Sequence, residues 1–320
     1  MVFSCRVCNL SNVRINTPNI PAGTPLDVQR QMVIGPVAMA HRTRSRECTN
    51  PDFSIVLPPV PDDPMALDWS YGLTTVPSRI NTTLPITLDS LKRAGFPTPH
   101  LFVDDWDGGS TICNHLGLPT TYHQGTLQPF GNWILALWEI YLRNPTADRY
   151  AMFQDDFVTV RNLRQYLERV PYPERGYLNL YTAFGRHNRC GGNERVIEGK
   201  GMGWYEGALV NPVELNPDRL QAGLGAVALV FNNEAVRLLL SAKPIVEKPK
   251  AADRVIRYRK VDGGVVNAMN LAGWREYVHN PSLVQHIGKD SSCGNREHPQ
   301  ALTFPGTDFD CLSLLKERAP

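Results

Sequence analysis

Short apolar runs alternate with amphipathic stretches from residue 69 onward, and this alternation predicts an α/β domain. The predicted strands are rich in β-branched, aromatic and aliphatic residues and lie at positions 69–76, 100–105, 150–154, 176–181 and 225–231. The predicted helices carry apolar side chains at helical spacing and lie at positions 83–94, 131–142, 161–170, 233–242 and 261–270. Pro85 fits its helix because it falls in the first turn, and Gly95 ends that helix.

One predicted strand delivers two adjacent carboxylates to the edge of a sheet. The apolar run Tyr150–Phe153 leads to Asp155 and Asp156, and a second apolar run follows them. Two ionised carboxylates side by side repel each other, so such a pair is usually held by a cation or by Arg or Lys. Hard divalent ions take oxygen ligands and bind phosphates, so a metal that holds a diphosphate is the first hypothesis. The alternative is an acidic strand-to-loop turn with solvated side chains.

Residues 1–66 differ from the rest of the chain and predict an irregular N-terminal arm that ends in a proline-rich linker. Two thiols three positions apart, Cys5 and Cys8, match a common half of a structural zinc site. His41 and Cys48 are the nearest candidates to complete it, and unligated thiols are the alternative. We therefore expect three segments: an arm and linker at 1–66, a catalytic domain at 67–295 and a C-terminal tail at 296–320.

Composition narrows the class of protein. The chain has 320 residues, 42% of them hydrophobic, and a net charge of +2, which is too small to indicate a nucleic-acid or membrane-surface protein by itself. No apolar run approaches the roughly 18 residues of a membrane span, and the first residues lack a secretory signal pattern. The seven cysteines form an odd set, which favours thiols or metal ligands over disulfides. The sequence thus predicts a cytoplasmic protein, in the host cytoplasm if the source is a virus.

Several common activities lose their main support, because the chain has no glycine-rich P-loop, no dinucleotide fingerprint and no Gly-x-Ser-x-Gly motif. Two polar regions stay open to more than one interpretation. Residues 185–207 contain seven glycines, and we interpret them either as a substrate lid with aromatic residues or as an irregular surface loop. The basic run at 248–260 is typical of a solvated face, and it would also suit the flank of a phosphate-bearing substrate.

Three motifs occur in an order that resembles the GT-A glycosyltransferases, and the resemblance covers residues 68–292. The segment Thr74–Arg79 is similar to the first strand and loop of that fold, which face the nucleotide of a sugar donor. Residues Phe153–Phe157 resemble its metal-binding D-x-D motif, with Gln154 where many members carry an acid. Residues Pro281–Gly288 resemble a late segment in which a histidine completes the metal shell.

This resemblance implies a GT-A-like, Rossmann-related mixed sheet flanked by helices, and a metal-dependent transfer of sugar from a nucleotide-diphosphate donor, most simply a UDP-sugar. It implies that Asp156 and His286 hold Mn²⁺ or Mg²⁺, which neutralises the charge that develops on the leaving diphosphate. Asp155 would then contact the ribose or sugar of the donor. The residues implied for donor binding are Thr75, Val76, Pro77, Arg79, Asp104 and Asp155, with Arg79 paired with a phosphate or with Asp104.

Inverting members of this family carry a catalytic base at the start of a late helix, which implies Asp262 here, with Glu206 as the rival. Such a carboxylate would take the proton of the acceptor hydroxyl during attack. Helix capping is the structural alternative for Asp262, since a carboxylate is favoured in a first turn. Trp204 and Tyr205 are candidates to stack on the acceptor, with simple packing as the alternative. A retaining mechanism also stays open.

The acceptor is left open by the sequence. One hypothesis is a nucleic-acid acceptor, such as a hydroxymethylated base in viral DNA. It is favoured by the basic run at 248–260, the arginines of 186–195 and the cysteine pair. Two other classes remain as alternatives. One is a nucleotidyltransferase on a similar fold, although Thr75–Ser78 lacks the expected glycine- and lysine-rich loop. The other is a module that binds nucleic acid without catalysis, in which Asp155, Asp156 and His286 would have no functional role.

Overall fold

The structure, a computed structural model, describes seven ranges of the chain together with the backbone of three short strands before residue 57. These ranges are residues 67–106, 116–125, 127–183, 192–208, 225–246, 261–288 and 300–316. The chain separates into two compact units. One comprises Met1–Ala66 with Leu167–Pro171, and the other comprises Leu67–Tyr166 with Tyr172–Pro320.

The regular elements of the described residues form a three-stranded sheet in the first unit and an α/β arrangement in the second. The strands are β1 (Val2–Cys5), β2 (Val13–Arg14), β3 (Phe53–Val56), β4 (Trp69–Thr75), β5 (His100–Trp106), β6 (Thr120–Gln124), β7 (Arg149–Gln154), β8 (Phe157–Thr159), β9 (Gly176–Asn179), β10 (Gly203–Glu206), β11 (Ala228–Asn232), β12 (Arg275–Asn280) and β13 (Val284–His286). The helices are α1 (Thr83–Ala94), α2 (Gln128–Arg143), α3 (Leu163–Arg169), α4 (Glu194–Ile197), α5 (Asn233–Ser241), α6 (Lys243–Val246), α7 (Val261–Leu271) and α8 (Ser313–Lys316).

An eight-stranded mixed sheet is the centre of the larger unit, with strand order β10-β12-β9-β11-β7-β4-β5-β6. Strands β7, β4, β5 and β6 run parallel to one another, whereas β11 is antiparallel to both β7 and β9. The predicted α/β class, a mixed sheet flanked by helices, is therefore confirmed. A small second ladder pairs β13 with β8 in antiparallel register.

The strand directions bring several chain segments to one edge of the sheet. Strands β4 and β7 are parallel, with Thr74 opposite Gln154, so the residues that follow both strands emerge side by side. Strand β11 is antiparallel to β7, and its N-terminal end lies at this same edge, with Gln154 N–H donating to Val227 C=O. Open α/β sheets bind ligands outside the carboxyl ends of their parallel strands, so this edge is the place to look for a site.

The two faces of β7 are buried against different elements, as its alternating side chains require. Tyr150 and Met152 belong to a core cluster with Trp133 of α2, Leu239 of α5 and Val265 of α7. On the other face, Phe153 lies edge-to-face against Phe96, which follows α1. Burial of one large apolar side chain stabilises the fold by about 1.5–3 kcal/mol, so these two layers fix the strand that carries the acidic turn.

Three strands of the central sheet, β6, β10 and β12, were not predicted from the sequence, and one predicted loop is partly regular. Strand β6 adds to the end of the sheet beside β5, although its sequence Thr-Thr-Tyr-His-Gln is polar. Within the region interpreted as a lid or irregular loop, residues 194–197 are helical and β10 pairs with β12. Helix α2 begins at Gln128, three residues before its predicted start.

In the described part of the chain, no helix is long and apolar enough to cross a bilayer.

Candidate functional site

Both carboxylates of the acidic turn are buried at the sheet edge. Asp155 and Asp156 follow β7 directly, and each is only 2% exposed. The backbone of the turn is fixed from the far end of the chain, because Ile287 N–H donates to Asp156 C=O at 2.8 Å. A solvated acidic turn, the alternative interpretation of this stretch, does not describe these side chains. Two buried carboxylates require compensating partners.

The compensating cation inside the chain is Arg79. Its Nη1 lies 2.7 Å from Asp155 Oδ1 and 2.6 Å from Asp156 Oδ2, so one guanidinium nitrogen bridges the two acids. Arg79 ends a short 3-10 helix, Pro77–Arg79, that follows β4, and its N–H donates to Val76 C=O. The family resemblance predicts a phosphate or Asp104 as the partner of Arg79, and in the structure the partners are Asp155 and Asp156. The pairing with the acidic turn follows from the parallel β4–β7 register, which brings the two strand ends together.

Thr75 completes the coordination of Asp155. Its hydroxyl donates to Asp155 Oδ2 at 2.5 Å, while Arg79 takes the other carboxylate oxygen. Burial is the largest influence on this carboxyl and, with the neighbouring Asp156 charge, raises its pKa despite the opposing effect of Arg79. Asp155 is thus a fully engaged carboxylate whose position is set by β4.

His286 reaches the acidic turn from a segment far along the chain. Strand β13 pairs with β8, with His286 opposite Phe157, and His286 Nε2 lies 3.3 Å from Asp156 Oδ2. Gly288 N–H donates to His286 Nδ1 at 3.1 Å, so that nitrogen is the acceptor and Nε2 carries the proton, as assigned from the hydrogen-bond network. In this tautomer His286 donates to Asp156. Direct ligation of a metal through Nε2 would need the other tautomer and the loss of the Gly288 contact.

Asp156 differs from Asp155 in one respect that matters for ligand binding. Its Oδ1 is buried and has no hydrogen-bond partner among the described residues, and the side chain is only 3% exposed. Burial would raise the pKa of this carboxyl, but the His286 hydrogen bond and Arg79 outweigh burial and lower the pKa. Buried carboxylate oxygens normally have a hydrogen-bond donor or a cation as a partner, and Asp156 Oδ1 has neither among the described residues.

The space beside this carboxylate is kept open by Gly288. A Cβ at that position would lie 2.7 Å from His286 Cε1 and 3.0 Å from Asp156 Oδ2, closer than ordinary Cβ contacts. The orphaned Asp156 Oδ1, together with the absence of a side chain at Gly288 on the Oδ2 side of the same carboxylate, fits a hard divalent cation. No cluster of three His, Cys, Asp or Glu side chains within the described ranges could hold a metal alone. The arrangement therefore fits an ion held by one carboxylate together with phosphate and water oxygens, as Mg²⁺ often is.

Asp104, predicted to bind the donor, has a structural partner. It lies near the end of β5 and is 3% exposed, and its Oδ1 accepts the Leu127 N–H at 2.9 Å. Leu127 is the N-cap residue of α2, so the carboxylate lies at the positive end of that helix. Val76 and Pro77, also predicted to face the donor, form the half-buried start of the 3-10 turn beside Arg79.

Asp262 lies in the first turn of α7 and makes two backbone contacts. Its Oδ2 accepts the Gly225 N–H at 3.1 Å, and its Oδ1 accepts the Gly263 N–H at 2.9 Å. Gly225 has φ +75° and lies so close to the Tyr181 ring that a Cβ there would meet it. Tyr181 in turn lies 6.4 Å from the His286 ring, measured between centroids. A chain of direct neighbours thus connects Asp262 with the acidic turn.

The other predicted catalytic and acceptor residues lie on the edge strand β10. Glu206 is exposed and pairs with Arg275, with Oε1 at 3.3 Å from Nε. Trp204 lies edge-on to His279, with ring centroids 4.8 Å apart, and its buried Nε1 has no hydrogen-bond partner in the described part of the chain. The Tyr205 hydroxyl donates to Gly201 C=O at 2.8 Å, and Lys200 Nζ lies 4.7 Å from the Tyr205 ring. These side chains are placed by contacts within the protein.

Sequence reasoning missed a buried carboxyl, Glu276, on β12. Its Oε2 accepts from the Tyr177 hydroxyl at 3.0 Å and from Asn179 Nδ2 at 3.2 Å, and its Oε1 accepts from Asn193 Nδ2 at 3.1 Å. Burial raises the pKa of Glu276, and these three hydrogen bonds oppose the rise. Asn193 Oδ1 also accepts the Ala208 N–H, so this network ties residues 192–208 to the sheet. The strand that carries Glu276 is mostly polar, Arg-Glu-Tyr-Val-His-Asn, so no sequence signal indicated that this acid is buried.

Two groups of predicted residues lie outside what the structure describes. Cys8, His41 and Cys48 are not among the described residues, and for Cys5 only the backbone in β1 is described. The predicted zinc site stays a prediction. The basic run at 248–260 also lies wholly outside the described residues, whereas Arg195 is exposed on α4.

Comparison with known proteins gives a structural neighbour. No family model matches the chain, and no curated protein matches it. A solved structure of a mannose-1-phosphate geranyltransferase from Thermus thermophilus is similar over 67% of this chain and 74% of that protein, with 13% sequence identity and a TM-score of 0.35. Function is therefore inferred from the chain's own residues.

Proposed function

We propose that this protein is a nucleotide-sugar-dependent glycosyltransferase that binds the donor diphosphate at the acidic turn after β7. The observation that carries the proposal is the meeting of Asp155, Asp156, Arg79 and His286 at one sheet edge, with Asp156 Oδ1 buried and unpartnered among the described residues. This is the edge at which open α/β sheets bind nucleotides. The order of the three motifs and their meeting in space both fit the GT-A resemblance.

Asp156 would hold a divalent cation, Mn²⁺ or Mg²⁺, and His286 would orient that carboxylate or, in its other tautomer, ligate the ion. When bound, the cation supplies positive charge to the leaving diphosphate. Asp155, held by Thr75, faces the donor's ribose or sugar, and the turn at Val76 and Pro77 faces the nucleotide. UDP-sugars are the donors that the family resemblance favours.

The residue proposed to move a proton is Asp262. Its two oxygens each accept one backbone N–H, which holds the carboxylate in a fixed orientation and leaves further lone pairs. It would take the proton of the acceptor hydroxyl as that oxygen attacks the sugar, and the reaction would then invert the anomeric centre. Glu206 is the weaker candidate, because it is exposed and paired with Arg275.

The acceptor would lie on the β10 side, where the Trp204 indole N–H has no partner within the described ranges. A hydroxyl on a hydroxymethylated base in nucleic acid is one acceptor class, and a glycan or small molecule is another. The basic residues that would bind phosphates of nucleic acid lie at 248–260. A cytoplasmic location is part of the same proposal.

A ligand panel tests the donor assignment. Thermal unfolding is followed with UDP-, GDP- and CMP-sugars, each with and without Mn²⁺, for the native chain, Asp156→Asn and the exposed-site control Asp89→Asn. A donor at about 100 times its dissociation constant should stabilise the native chain and the control by about 2.7 kcal/mol, and Asp156→Asn should lose the effect. Stabilisation by nucleoside triphosphates alone would favour a nucleotidyltransferase, and no metal-dependent shift with any nucleotide would count against both enzymes.

A second experiment separates binding from catalysis. Asp262→Asn should keep donor binding in that panel and lower transfer by about 10²–10⁴-fold, the usual contribution of a general base. Glu206→Gln is the matched comparison and should transfer nearly normally. A fully active Asp262→Asn protein would leave Asp262 only its helix-capping role.

A further inference from the structure

The cation position of the acidic turn is occupied by a side chain of the protein itself. Arg79 Nη1 contacts Asp156 Oδ2 at 2.6 Å and Asp155 Oδ1 at 2.7 Å, and its side chain is 17% exposed. Charge-assisted contacts of this length are strong, and they neutralise one of the two buried charges. A divalent ion that binds Asp156 must therefore meet a carboxylate already paired with a guanidinium.

The two carboxylates are engaged unequally. Asp155 has a second donor in Thr75 on the oxygen that Arg79 leaves free. Asp156 has Arg79 and His286 on the same oxygen, Oδ2, while Oδ1 is unpartnered among the described residues. Removal of Arg79 from Asp156 leaves Asp155 with both Thr75 and a nearby guanidinium, whereas Asp156 keeps only His286, on Oδ2, beside its unpartnered Oδ1.

We propose that Arg79 is a counter-ion that the free protein uses in place of the metal, and that binding of a divalent cation releases Arg79 from Asp156 so that it can contact the donor diphosphate. The proposal rests on the proposed function, since it takes the acidic turn as the cation and diphosphate site. Two effects on ligand binding follow, with opposite signs. Arg79 weakens metal binding in the absence of nucleotide, and it strengthens nucleotide binding once metal is present.

The physical reason for the first effect is competition for one carboxylate. A divalent ion on Asp156 Oδ1 would lie beside the guanidinium that contacts Oδ2 at 2.6 Å, and the two cations repel each other strongly at a buried site. The reason for the second effect is the chemistry of the side chain. A guanidinium is a planar donor that recognises phosphate well, and Arg79 lies on the loop that leaves β4 at the binding edge.

Direct binding measurements on the full chain test both effects without any transfer reaction. Free Mn²⁺ is measured by electron paramagnetic resonance during titration of the native chain, Arg79→Met, Arg79→Lys and the exposed control Arg237→Met. We expect Arg79→Met to bind Mn²⁺ about tenfold more tightly than the native chain and the control, with Arg79→Lys between them. Calorimetry with UDP at saturating Mn²⁺ should then show about tenfold weaker nucleotide binding to Arg79→Met.

The outcomes separate this proposal from the proposed function. Equal or weaker Mn²⁺ binding by Arg79→Met, with UDP bound by the native chain, overturns the counter-ion exchange and leaves the donor site standing. Tighter Mn²⁺ binding with unchanged UDP affinity overturns the phosphate-binding part of the role. If neither Mn²⁺ nor UDP binds the native chain, the metal–diphosphate site fails and the exchange fails with it. If Arg79→Met does not fold, Arg79→Lys is compared with the native chain, because it keeps a charge but loses the planar donor geometry. Tighter Mn²⁺ binding by Arg79→Lys supports the exchange, and equal or weaker Mn²⁺ binding overturns it.

Discussion

Asp155 and Asp156 are neighbours in sequence but have different environments. Asp155 is held on both oxygens, by Thr75 and Arg79, and Asp156 is held on one by the residues that the structure describes. Burial and the adjacent charge raise the pKa of Asp155, whereas His286 and Arg79 outweigh burial and lower the pKa of Asp156. Asp155 is thus satisfied on both oxygens within the protein, whereas one oxygen of Asp156 has no partner among the described residues.

Replacement of Thr75 tests the positioning of Asp155. Thr75→Val keeps the shape of the side chain and removes the hydroxyl that donates to Asp155 Oδ2. The free energy of unfolding should fall by about 1.5–3 kcal/mol, because a buried carboxylate loses a hydrogen bond. Urea denaturation measures the change, and Thr75→Ser is the control that keeps the hydroxyl. Equal losses in both variants would attribute the effect to packing.

Replacement of Gly288 tests the open space beside Asp156. In Gly288→Ala the new Cβ would meet His286 Cε1 and Asp156 Oδ2, so the ring or the acid must shift. We expect a loss of about 1–3 kcal/mol in the free energy of unfolding, and weaker metal-dependent binding of the donor. Gly201→Ala is the matched control, because no described atom lies within 4 Å of a Cβ there. Normal donor binding by Gly288→Ala would show that this open space does not serve the ligand.

At the scale of elements, the sequence predicts strands with a continuous apolar run well and strands rich in polar residues poorly. Strand β7 has an apolar run because both of its faces are covered, so its pattern is visible. Strands β6 and β10 lie at the two ends of the sheet, carry polar residues, and form because of partners elsewhere in the chain. The same limit applies to Arg79, whose acidic partners lie 76 and 77 positions away. The proximity of His286 to Asp156 was anticipated only through the family resemblance.

The Glu276 network links β12, β9 and residues 192–208, and it should make stability depend on pH. Burial raises the pKa of Glu276 in the folded chain above its ordinary value of 4.5. Between these two values the folded state holds a proton that the unfolded state has lost, so the contribution of Glu276 to stability falls as pH rises. Glu276→Gln cannot titrate. The difference in free energy of unfolding, native minus variant, should therefore decrease as pH rises from about 4 toward neutral.

Urea denaturation at several pH values measures this difference for Glu276→Gln. Glu198→Gln, an exposed site within residues 192–208, serves as the control, and its difference in free energy of unfolding should change little with pH. A difference that is flat with pH would mean that the three hydrogen bonds to Glu276 fully compensate its burial.

At the scale of the whole molecule, the residues that form the candidate site and the core that supports it all lie in the larger unit. The eight strands of the central sheet span Trp69–Asn280, and the residues of the candidate site lie between Thr75 and Gly288. The predicted boundary after residue 66 therefore has a direct test. A chain truncated to Leu67–Pro320 should unfold cooperatively and keep metal-dependent donor binding.

The matched comparison is a chain that ends before β12, at Gly273. Strand β12 lies inside the sheet between β10 and β9, and it carries Glu276, so its loss breaks the ladder and leaves Tyr177 and Asn179 without their buried acceptor. That chain should lose cooperative unfolding, since buried polar groups without partners cost about 1–3 kcal/mol each. Urea unfolding followed by circular dichroism and tryptophan fluorescence measures both chains. If Leu67–Pro320 also loses cooperativity, residues 1–66 belong to the folding unit of the sheet, and the boundary lies elsewhere.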